Sequence, residues 1–393
     1  MGFGAAALAG LAAGAGAIHL LHQRGKGVLE APLPQLIPEP EPPPVMKPED
    51  YDARDPGRGR LAERPHHIPW KGWIDILYRT AAAYFGDRVG FVAGGVTFFM
   101  VLSLFPTIGA FVTIYGLFAD PFAAWQRLSF LYSVLPAGVA AFIGEQMQRL
   151  AEANKGGLSF TLIWTLLLSL WTANGGIKTL FYGLNIAYHE VEKRNIVRYN
   201  LTCFIFTLGG IFAVMSVAAL VVGVPVVLGL FGLEGRWAEL APLRWPLLFV
   251  AYVGAMVLIY RYGPCRARAR WHWLTVGALV AGAFSLILSL GFSWYLQTFV
   301  RPDTYGPLAA VMGFLIWTWL SVQIILMGAE LNAEIEHQTA IDTTRGQAKP
   351  LGRRGAVVAD TVGARRGTPA ALSFTQRHAE ALADKVMKRR RNT

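Results

Sequence analysis

The sequence has little charge. Only 16% of its 393 residues are Asp, Glu, Lys or Arg, whereas 54% are hydrophobic and the mean hydropathy is +0.39. Soluble domains carry about a quarter charged residues, so this composition excludes an ordinary soluble domain and points to a membrane protein. The 12 tryptophans agree with this, because indole rings concentrate where lipid headgroups meet water.

Cysteine and the motifs of metal or nucleotide chemistry are also scarce. The two cysteines, Cys203 and Cys265, exclude a disulfide framework. The eight histidines are scattered, no HxH or HExxH motif occurs, and His66–His67 has no carboxylate at ligand spacing. There is no P-loop either. We therefore expect no cofactor, no metal, no enzymatic activity and no ATP-driven transport by this chain itself.

Long apolar runs are abundant instead. Runs of 18 or more apolar residues are typical of membrane-spanning helices, and a lone strand would leave its backbone groups unsatisfied in lipid. The sequence predicts an all-α, polytopic membrane helix bundle with six transmembrane helices plus interfacial amphipathic helices, one of them at 121–153. The predicted spans are 91–114, 158–180, 201–230, 245–262, 273–296 and 308–327.

Positive charge is distributed unevenly between the loops. The segments before the first span and after the second, fourth and sixth are basic, and the other three loops are nearly balanced. Because basic loops stay in the cytoplasm, both ends of the six-helix core are predicted to be cytoplasmic. Topology explains the arginine-rich loops, so we expect membrane lipids and no nucleic acid as partners. The oligomeric state is open.

Four segments are predicted along the chain. Residues 1–30 are apolar and rich in Gly and Ala, and whether 3–21 form a seventh membrane segment is open. Residues 31–65 form a Pro-rich, basic cytoplasmic linker, and 66–338 form the membrane domain. Residues 339–393 form a basic, largely disordered tail, with 341–370 lacking fixed structure and 372–391 either a helix on anionic lipid or solvated.

Four stretches of the chain resemble one known family. They are "GVTFFMVLSLFPTIGAFVTIYGLFADP", "LWTANGGIKTLFYGLNIAYHEVEKRN", "IYRYGPCRARARWHWLTVGAL" and "TYGPLAAVMGFLIWTWLSVQIILMGAELNAEIE". From about residue 73 to 338 the chain resembles the YihY / virulence factor BrkB family of bacterial inner-membrane proteins, apart from the extra glycines of "VAGGVTFF". The resemblance implies a multi-pass inner-membrane protein linked to the cell envelope, of unsettled molecular activity. Some members carry a ribonuclease label.

Polar residues inside the spans are the candidate cavity or gate. Ser103 and Pro106 predict either a packed kink or a flexible gate, and we favour the kink. Asn174 and Lys178 flank Gly175–Gly176, which indicates either a functional break in the helix or close helix packing. Lys178 alone is explained by reaching toward the headgroups.

More polar candidates follow the second span and end the sixth. Asn185 and Glu190 suit an interfacial helix with local charge pairing, or a polar platform at a cytoplasmic vestibule. Glu330 and Glu334 share one helix face, with Asn332 beside them. If the sixth span ends at Met327, they either lie in water or form a cluster with Lys178 or with an arginine of the 261–270 loop.

Two functions agree with these features. The first is translocation of a lipid or another envelope-related small molecule. The alternative is a scaffold or envelope assembly factor that transports nothing. Small residues at helix faces serve both. A continuous cavity joining Asn174, Lys178 and Glu330 would favour transport, and a fully packed bundle would favour the scaffold.

Overall fold

A computed structural model describes residues 47–118, 155–218 with residue 220, 243–299 and 302–367. Within these ranges the helices are α1 Pro48–Arg54, a 3₁₀ turn Pro65–His67, α2 Trp70–Gly86, α3 Val89–Phe118, α4 Lys155–Ala187, α5 Ile196–Ala218, α6 Arg244–Tyr262, α7 Trp271–Phe299, α8 Pro302–Glu336 and α9 Val357–Asp360. The β structure of the described part is one isolated antiparallel bridge, Ala269–Thr344. The predicted all-α class is confirmed.

Four of these helices are long and apolar enough to cross a membrane. They are Ile196–Val217, Arg244–Tyr262, Trp271–Leu296 and Val311–Glu336. A bent pair, Trp70–Gly86 with Val89–Ser103, raises the number to five if it forms one broken span. The membrane bundle is therefore confirmed, and the count of six is not. The predicted helix at 121–153, the segment 1–30 and residues 372–391 lie outside the described residues.

The bend between α2 and α3 is a feature that the sequence analysis missed. The two helices meet at 59° across a two-residue joint, Asp87 and Arg88. Arg88 has φ 52°, a left-handed conformation that is uncommon outside glycine. The predicted first span is thus the later part of a longer, bent element.

The last span is longer than predicted. α8 begins at Pro302, continues past Met327 and ends at Glu336 after 35 residues. At about 1.5 Å per residue this helix is roughly 52 Å long, against a hydrocarbon core of about 30 Å. The helix is therefore longer than the hydrocarbon core is thick, and its last turns carry Glu330, Glu334 and Glu336.

The bundle core lies between α3, α4 and α8. α3 packs along α4, and α8 contacts α2, α3 and α7. A Cβ atom on Gly175 would lie 2.6 Å from the Phe99 ring, so α3 and α4 approach closely there. α4 runs unbroken through Gly175–Gly176. The interpretation of these glycines as a helix break is wrong, and the close-packing interpretation describes them.

A segment that we call the cap covers the end of α8. The cap consists of residues 337–367, and Ala340, Thr343, Arg354 and Val358 within it are buried. Its backbone bonds to the loop between α6 and α7, for instance from Ala267 N–H to Gly355 O at 2.9 Å. The expectation that 341–370 lack fixed structure is wrong for the described residues 341–367.

Arg354 explains why the cap holds one conformation despite its polar composition. Its guanidinium donates to four backbone carbonyls, those of Ala340, Ile341, Lys349 and Ala359, at 2.6–3.2 Å. Burial lowers the pKa of Arg354, and Asp342 and Asp360 oppose that effect. This buried arginine thus ties four points of the cap backbone together, beside the few apolar cap residues, such as Val358, that join the core.

Candidate functional site

The end of α8 carries a set of buried charges that we call the α8-end cluster. It consists of Glu330, Glu334 and Glu336 on α8 with Arg79 on α2, Asp87 in the α2–α3 joint, Arg266 in the α6–α7 loop, and Tyr188 and His337. Glu330, Glu334 and Glu336 are at most 6% exposed. The interpretation that places Glu330 and Glu334 in water is therefore wrong, because protein surrounds them.

Glu334 is held by Arg79. Arg79 Nε lies 2.5 Å from Glu334 Oε2, and the same guanidinium donates to Glu334 O at 3.1 Å, Gln338 Oε1 at 2.8 Å and Ala364 O at 3.0 Å. His337 Nδ1 lies 3.5 Å from Glu334 Oε2. The contacts join α2, α8 and the cap, so this ion pair has a structural role.

Glu336 is held in the same way from the opposite side. Arg266 binds both carboxylate oxygens at 2.6 and 3.1 Å, and Thr343 Oγ1 donates at 2.9 Å. The Arg266 guanidinium also lies 4.8 Å from the Tyr188 ring centre. Burial and, after it, the Glu336 charge raise the pKa of Tyr188. The hydroxyl of Tyr188 therefore stays protonated beside this ion pair.

Glu330 differs from its two neighbours. It is 1% exposed, and among the described residues no Lys, Arg or His forms an ion pair with it. Its Oε2 has no hydrogen-bond partner in that part of the chain. Its carboxyl group is in hydrogen-bonding contact with the carboxyl group of Asp87. Two acidic groups thus meet where α8 crosses the α2–α3 joint.

Asn332 fixes α8 against α7. Its Oδ1 accepts from Gly277 N–H at 2.8 Å, and its Nδ2 donates to Leu274 O at 2.9 Å. Asn332 is fully buried. Both ends of the amide are used between helices, so Asn332 positions the α8 turn that carries Glu330.

Asn185 and Glu190 anchor the segment that follows α4. Asn185 donates to Glu192 Oε2 at 3.1 Å and accepts from Cys265 N–H at 2.7 Å. Glu190 Oε1 accepts from Val357 N–H of the cap at 2.8 Å, and burial raises the pKa of Glu190. For Glu192 burial acts in the same direction, but bonds from Arg194 and Asn185 outweigh it and hold the pKa at about 2.

Asn174 and Lys178 face α5 instead of Glu330. Thr207 Oγ1 lies 3.4 Å from Asn174 Oδ1, and Tyr199 OH donates to Lys178 O at 3.2 Å. Within the described residues no ion pair joins Lys178 to Glu330. The predicted cluster of Lys178 with Glu330 is therefore absent there, and Arg266 of the 261–270 loop pairs with Glu336 instead.

Ser103 and Pro106 lie in the interior of α3, which continues through both residues. Ser103 Oγ donates to Met100 O at 2.8 Å, and Thr107 Oγ1 donates to Ser103 O at 2.7 Å. These bonds satisfy the helix locally and do not connect Ser103 to the α8-end cluster.

The sequence analysis did not single out Arg79, Asp87, Tyr188 or His337, whereas Arg266 belongs to the 261–270 loop that it named as a possible partner. The buried positions of α2 are Gly72, Asp75, Ile76, Arg79, Thr80 and Ala83, a helical spacing that places Arg79 on the same face as apolar residues. That pattern could have identified a buried arginine. The charge pattern instead counts Arg79 as part of the basic segment before the first span.

A surface pocket of about 230 Å³ lies on α4, lined by Trp164, Leu167, Leu168 and Trp171. It does not contain Asn174, Lys178 or Glu330, so it is not the cavity that would join them. Among the described residues, no group of three or more His, Cys, Asp or Glu side chains is arranged to hold a metal ion.

Comparison with known proteins matches a region that contains the whole α8-end cluster except Arg79. The model of the family "Virulence factor BrkB" matches residues 80–351. A ribonuclease-like protein, YfkH, of Bacillus subtilis (strain 168) is 28% identical over 61% of this chain and 86% of its own length. A UPF0761 membrane protein of Methylibium petroleiphilum is 26% identical over 70% of this chain and 66% of its own. A UPF0761 membrane protein of Xanthomonas campestris is 30% identical over 67% of this chain and 62% of its own length. No solved structure matches.

Proposed function

Because the chain belongs to the Virulence factor BrkB family and is an integral membrane protein, we propose that it translocates a lipid or another small molecule of the cell envelope. In this proposal the chain lies in the bacterial inner membrane, has no ATPase of its own and is not an enzyme. The basic loops support an orientation with the α8-end cluster and the cap on the cytoplasmic side.

The environment of Glu330 carries the proposal. An ionisable residue buried in a membrane protein is expensive and is usually retained for function. Glu334 and Glu336 have arginine partners, so packing and pairing account for them. Glu330 has no basic partner among the described residues and lies against Asp87. A scaffold gains nothing from such a group, since an apolar side chain of similar size would fill the space at lower free energy.

The surface of α4 is suited to contact with lipid. Its pocket is lined by two tryptophans and two leucines and is almost wholly apolar, as expected of a helix face in a bilayer. The bend at Asp87–Arg88 supports movement, because discontinuous helices in transporters line the binding site and change conformation there.

The scaffold remains the second candidate, and the cap favours it. Residues 337–367 bond to α2, to the segment after α4 and to the α6–α7 loop. Such ties hold the helix ends together and suit a protein that is built to stay in one state. A translocator has to loosen some of them during each cycle.

Lipid movement in proteoliposomes tests the proposal. The accessibility of fluorescent phospholipids to an outer-leaflet quencher is followed for the wild type, for Glu330→Gln and for Lys193→Gln. Lys193 is a suitable control because its side chain is 72% exposed and its ion pair, with Glu190 at 4.0 Å, lies outside the α8-end cluster. Flipping is expected for the wild type and Lys193→Gln and should be lost in Glu330→Gln at equal insertion. No flipping above empty vesicles removes phospholipid as the substrate. Equal flipping by all three rules out Glu330 as the site.

A further inference from the structure

Glu330 has an electrostatic environment that its own ion-paired neighbours do not share. It lies one helical turn before Glu334, and both are buried, but only Glu334 has an arginine at 2.5 Å. The groups that face Glu330 are Asp87 from the α2–α3 joint, Glu334 on its own helix and Tyr188 from the segment after α4. None of the three supplies a positive charge.

Farther groups complete the surroundings. Arg79 and His337 face Glu334, and Arg266 faces Glu336. Tyr260 of α6 donates its hydroxyl to Ile325 O at 2.7 Å. Arg79, His337 and Arg266 are therefore engaged with the other two glutamates.

A contact between two carboxyl groups has a simple chemical requirement. A hydrogen bond between them exists only when one of the two oxygens carries a proton, because two carboxylates are both acceptors. Two ionised carboxylates in hydrogen-bonding contact also repel each other strongly when little water is present. Adding a proton converts the repulsion between Glu330 and Asp87 into attraction, and removing it restores the repulsion.

The Glu330–Asp87 pair lies at the bend between α2 and α3, so its protonation can affect that bend. Asp87 forms half of the two-residue joint at which the span bends by 59°, and the neighbouring Arg88 has φ 52°. Backbone conformations of this kind cluster at switch regions. Attraction or repulsion between α8 and this joint would change the angle between α2 and α3.

Polar groups of the cap reach Glu334, which lies one turn after Glu330. Thr361 Oγ1, on a partly exposed residue, lies 3.0 Å from His337 Nε2. His337 Nδ1 lies 3.5 Å from Glu334 Oε2, and the charge of Glu334 acts on Glu330. The cap is thus connected to the cluster that holds the buried pair.

We propose that Glu330, in contact with Asp87, is a proton-binding site, and that its protonation and deprotonation drive the bending of the α2–α3 joint. The bound species is a proton taken up by a carboxylate, so no other reactant is required. The coupling of this proton to substrate movement rests on the translocation proposed above. The existence of the proton site does not depend on that translocation.

Infrared spectroscopy of the reconstituted protein, without substrate, tests the site by itself. A protonated buried carboxyl group gives a C=O band apart from that of carboxylates, and the band disappears as the pH rises. The wild type is expected to show a titrating band that is lost in Glu330→Gln. In Asp87→Asn the band should remain and titrate at a different pH. Glu192→Gln is the matched control, because the pKa of Glu192 is about 2 and it contributes no protonated band near neutral pH.

Two results overturn the proposal. An unchanged band in Glu330→Gln, in a preparation that inserts and elutes like the wild type, removes the proton site. If Glu330→Gln does not fold, an unchanged titration in Asp87→Asn has the same meaning. For the coupling, a pH gradient imposed across wild-type proteoliposomes should change the flipping rate. Flipping that occurs but ignores the gradient overturns the coupling alone, whereas absence of flipping with an intact band removes phospholipid as the substrate and leaves the proton site.

Discussion

Side chains of one type have different roles within two turns of α8. Glu334 and Glu336 each bind a buried arginine, and a buried ion pair is strongly destabilised when one partner is removed. Glu330 contacts another acidic group instead. The residue type and its burial are the same in all three cases, so the partner is what distinguishes Glu330 from the two ion-paired glutamates.

Arg79→Gln is expected to lower the free energy of unfolding by about 3–5 kcal/mol, because it leaves the Glu334 charge buried without its partner. Thermal unfolding in detergent measures the effect. Lys71→Gln, an exposed change on the same helix, is the control and should stay close to the wild type. The double variant Arg79→Met with Glu334→Leu should recover most of the loss. A small effect of Arg79→Gln would show that water reaches Glu334.

Glu190→Gln is expected to raise stability near neutral pH. Burial raises the pKa of Glu190 above its ordinary 4.5, so the ionised form destabilises the folded state. The amide keeps an oxygen for the Val357 N–H and removes the charge. The gain is fully present above the folded-state pKa and disappears as the pH falls below the unfolded value. Unfolding midpoints measured from acidic to neutral pH check this, and a loss of stability at neutral pH would contradict it.

Pairs of helices owe their spacing to a few small residues. A Cβ atom on Gly277 of α7 would lie 2.1 Å from Gly328 O of α8, and one on Gly328 would lie 2.5 Å from Tyr260 OH. Close backbone approach of this kind is typical of membrane helices that pack through small residues. Gly277 N–H also donates to Asn332 of α8. The close packing of α7 and α8 therefore fixes the turn of α8 that precedes Asn332.

Gly277→Ala is expected to destabilise the protein by about 1–3 kcal/mol, since the added methyl group forces α7 and α8 apart. Gly254→Ala in α6 is the matched control: a Cβ atom there meets nothing within 4 Å, and alanine favours the helix by up to about 1 kcal/mol. Thermal unfolding of the two variants should therefore move in opposite directions. A neutral Gly277→Ala would mean that the two helices are farther apart than described.

Periodicity and hydropathy predicted the helices well but not their ends. The apolar runs 245–262 and 273–296 lie within α6 and α7. At the end of α8 one of the two alternatives, exposure to water, is wrong. The other is correct in part, because an arginine of the 261–270 loop does pair there, but with Glu336 instead of Glu330, and Arg79 was not recognised as a partner. Asp87 and Arg88 are themselves neither glycine nor proline, although Gly86 and Gly90 flank the bend, and α8 packs against both helices.

At the scale of the described helices, the cap joins α2, the segment after α4 and the α6–α7 loop. The cap binds Arg79 of α2 through Ala364, and Asp75 of the same helix accepts from Arg366 N–H at 2.9 Å. It also binds Glu190 and the 267–270 loop. Part of the cap, 352–367, follows the region matched by the family model. Elements far apart in sequence are thus held together by a late segment of the chain.

Deletion of 352–393 is expected to loosen this end without preventing membrane insertion. It removes Arg354 and the hydrogen bonds of four later residues. These bonds join Val357 to Glu190, Gly363 to His337, Ala364 to Arg79 and Arg366 to Asp75. Hydrogen exchange should become faster in 337–344 and at the start of α2. Deletion of 368–393 alone keeps all of these bonds and is the control. Equal exchange in both deletions would mean that the cap does not hold the helix ends.

The candidate site was only partly predictable for a reason that applies to the whole chain. Glu330, Asn332 and Glu334 were identified because polar residues next to an apolar run are conspicuous. Their true partners come from 79, 87 and 274–277, which are distant in sequence. Lys178 was paired with Glu330 by its predicted depth in the membrane, but depth does not determine which face of α4 it occupies.

The most direct measurement compares the stability and the flipping rate of Glu330→Gln in one reconstituted preparation. If Glu330 is retained for function, the neutral amide should leave the unfolding temperature equal or higher while phospholipid flipping per folded molecule falls to the level of empty vesicles. A lower unfolding temperature with unchanged flipping would contradict this account, because Glu330 would then be part of the folding network like Glu334.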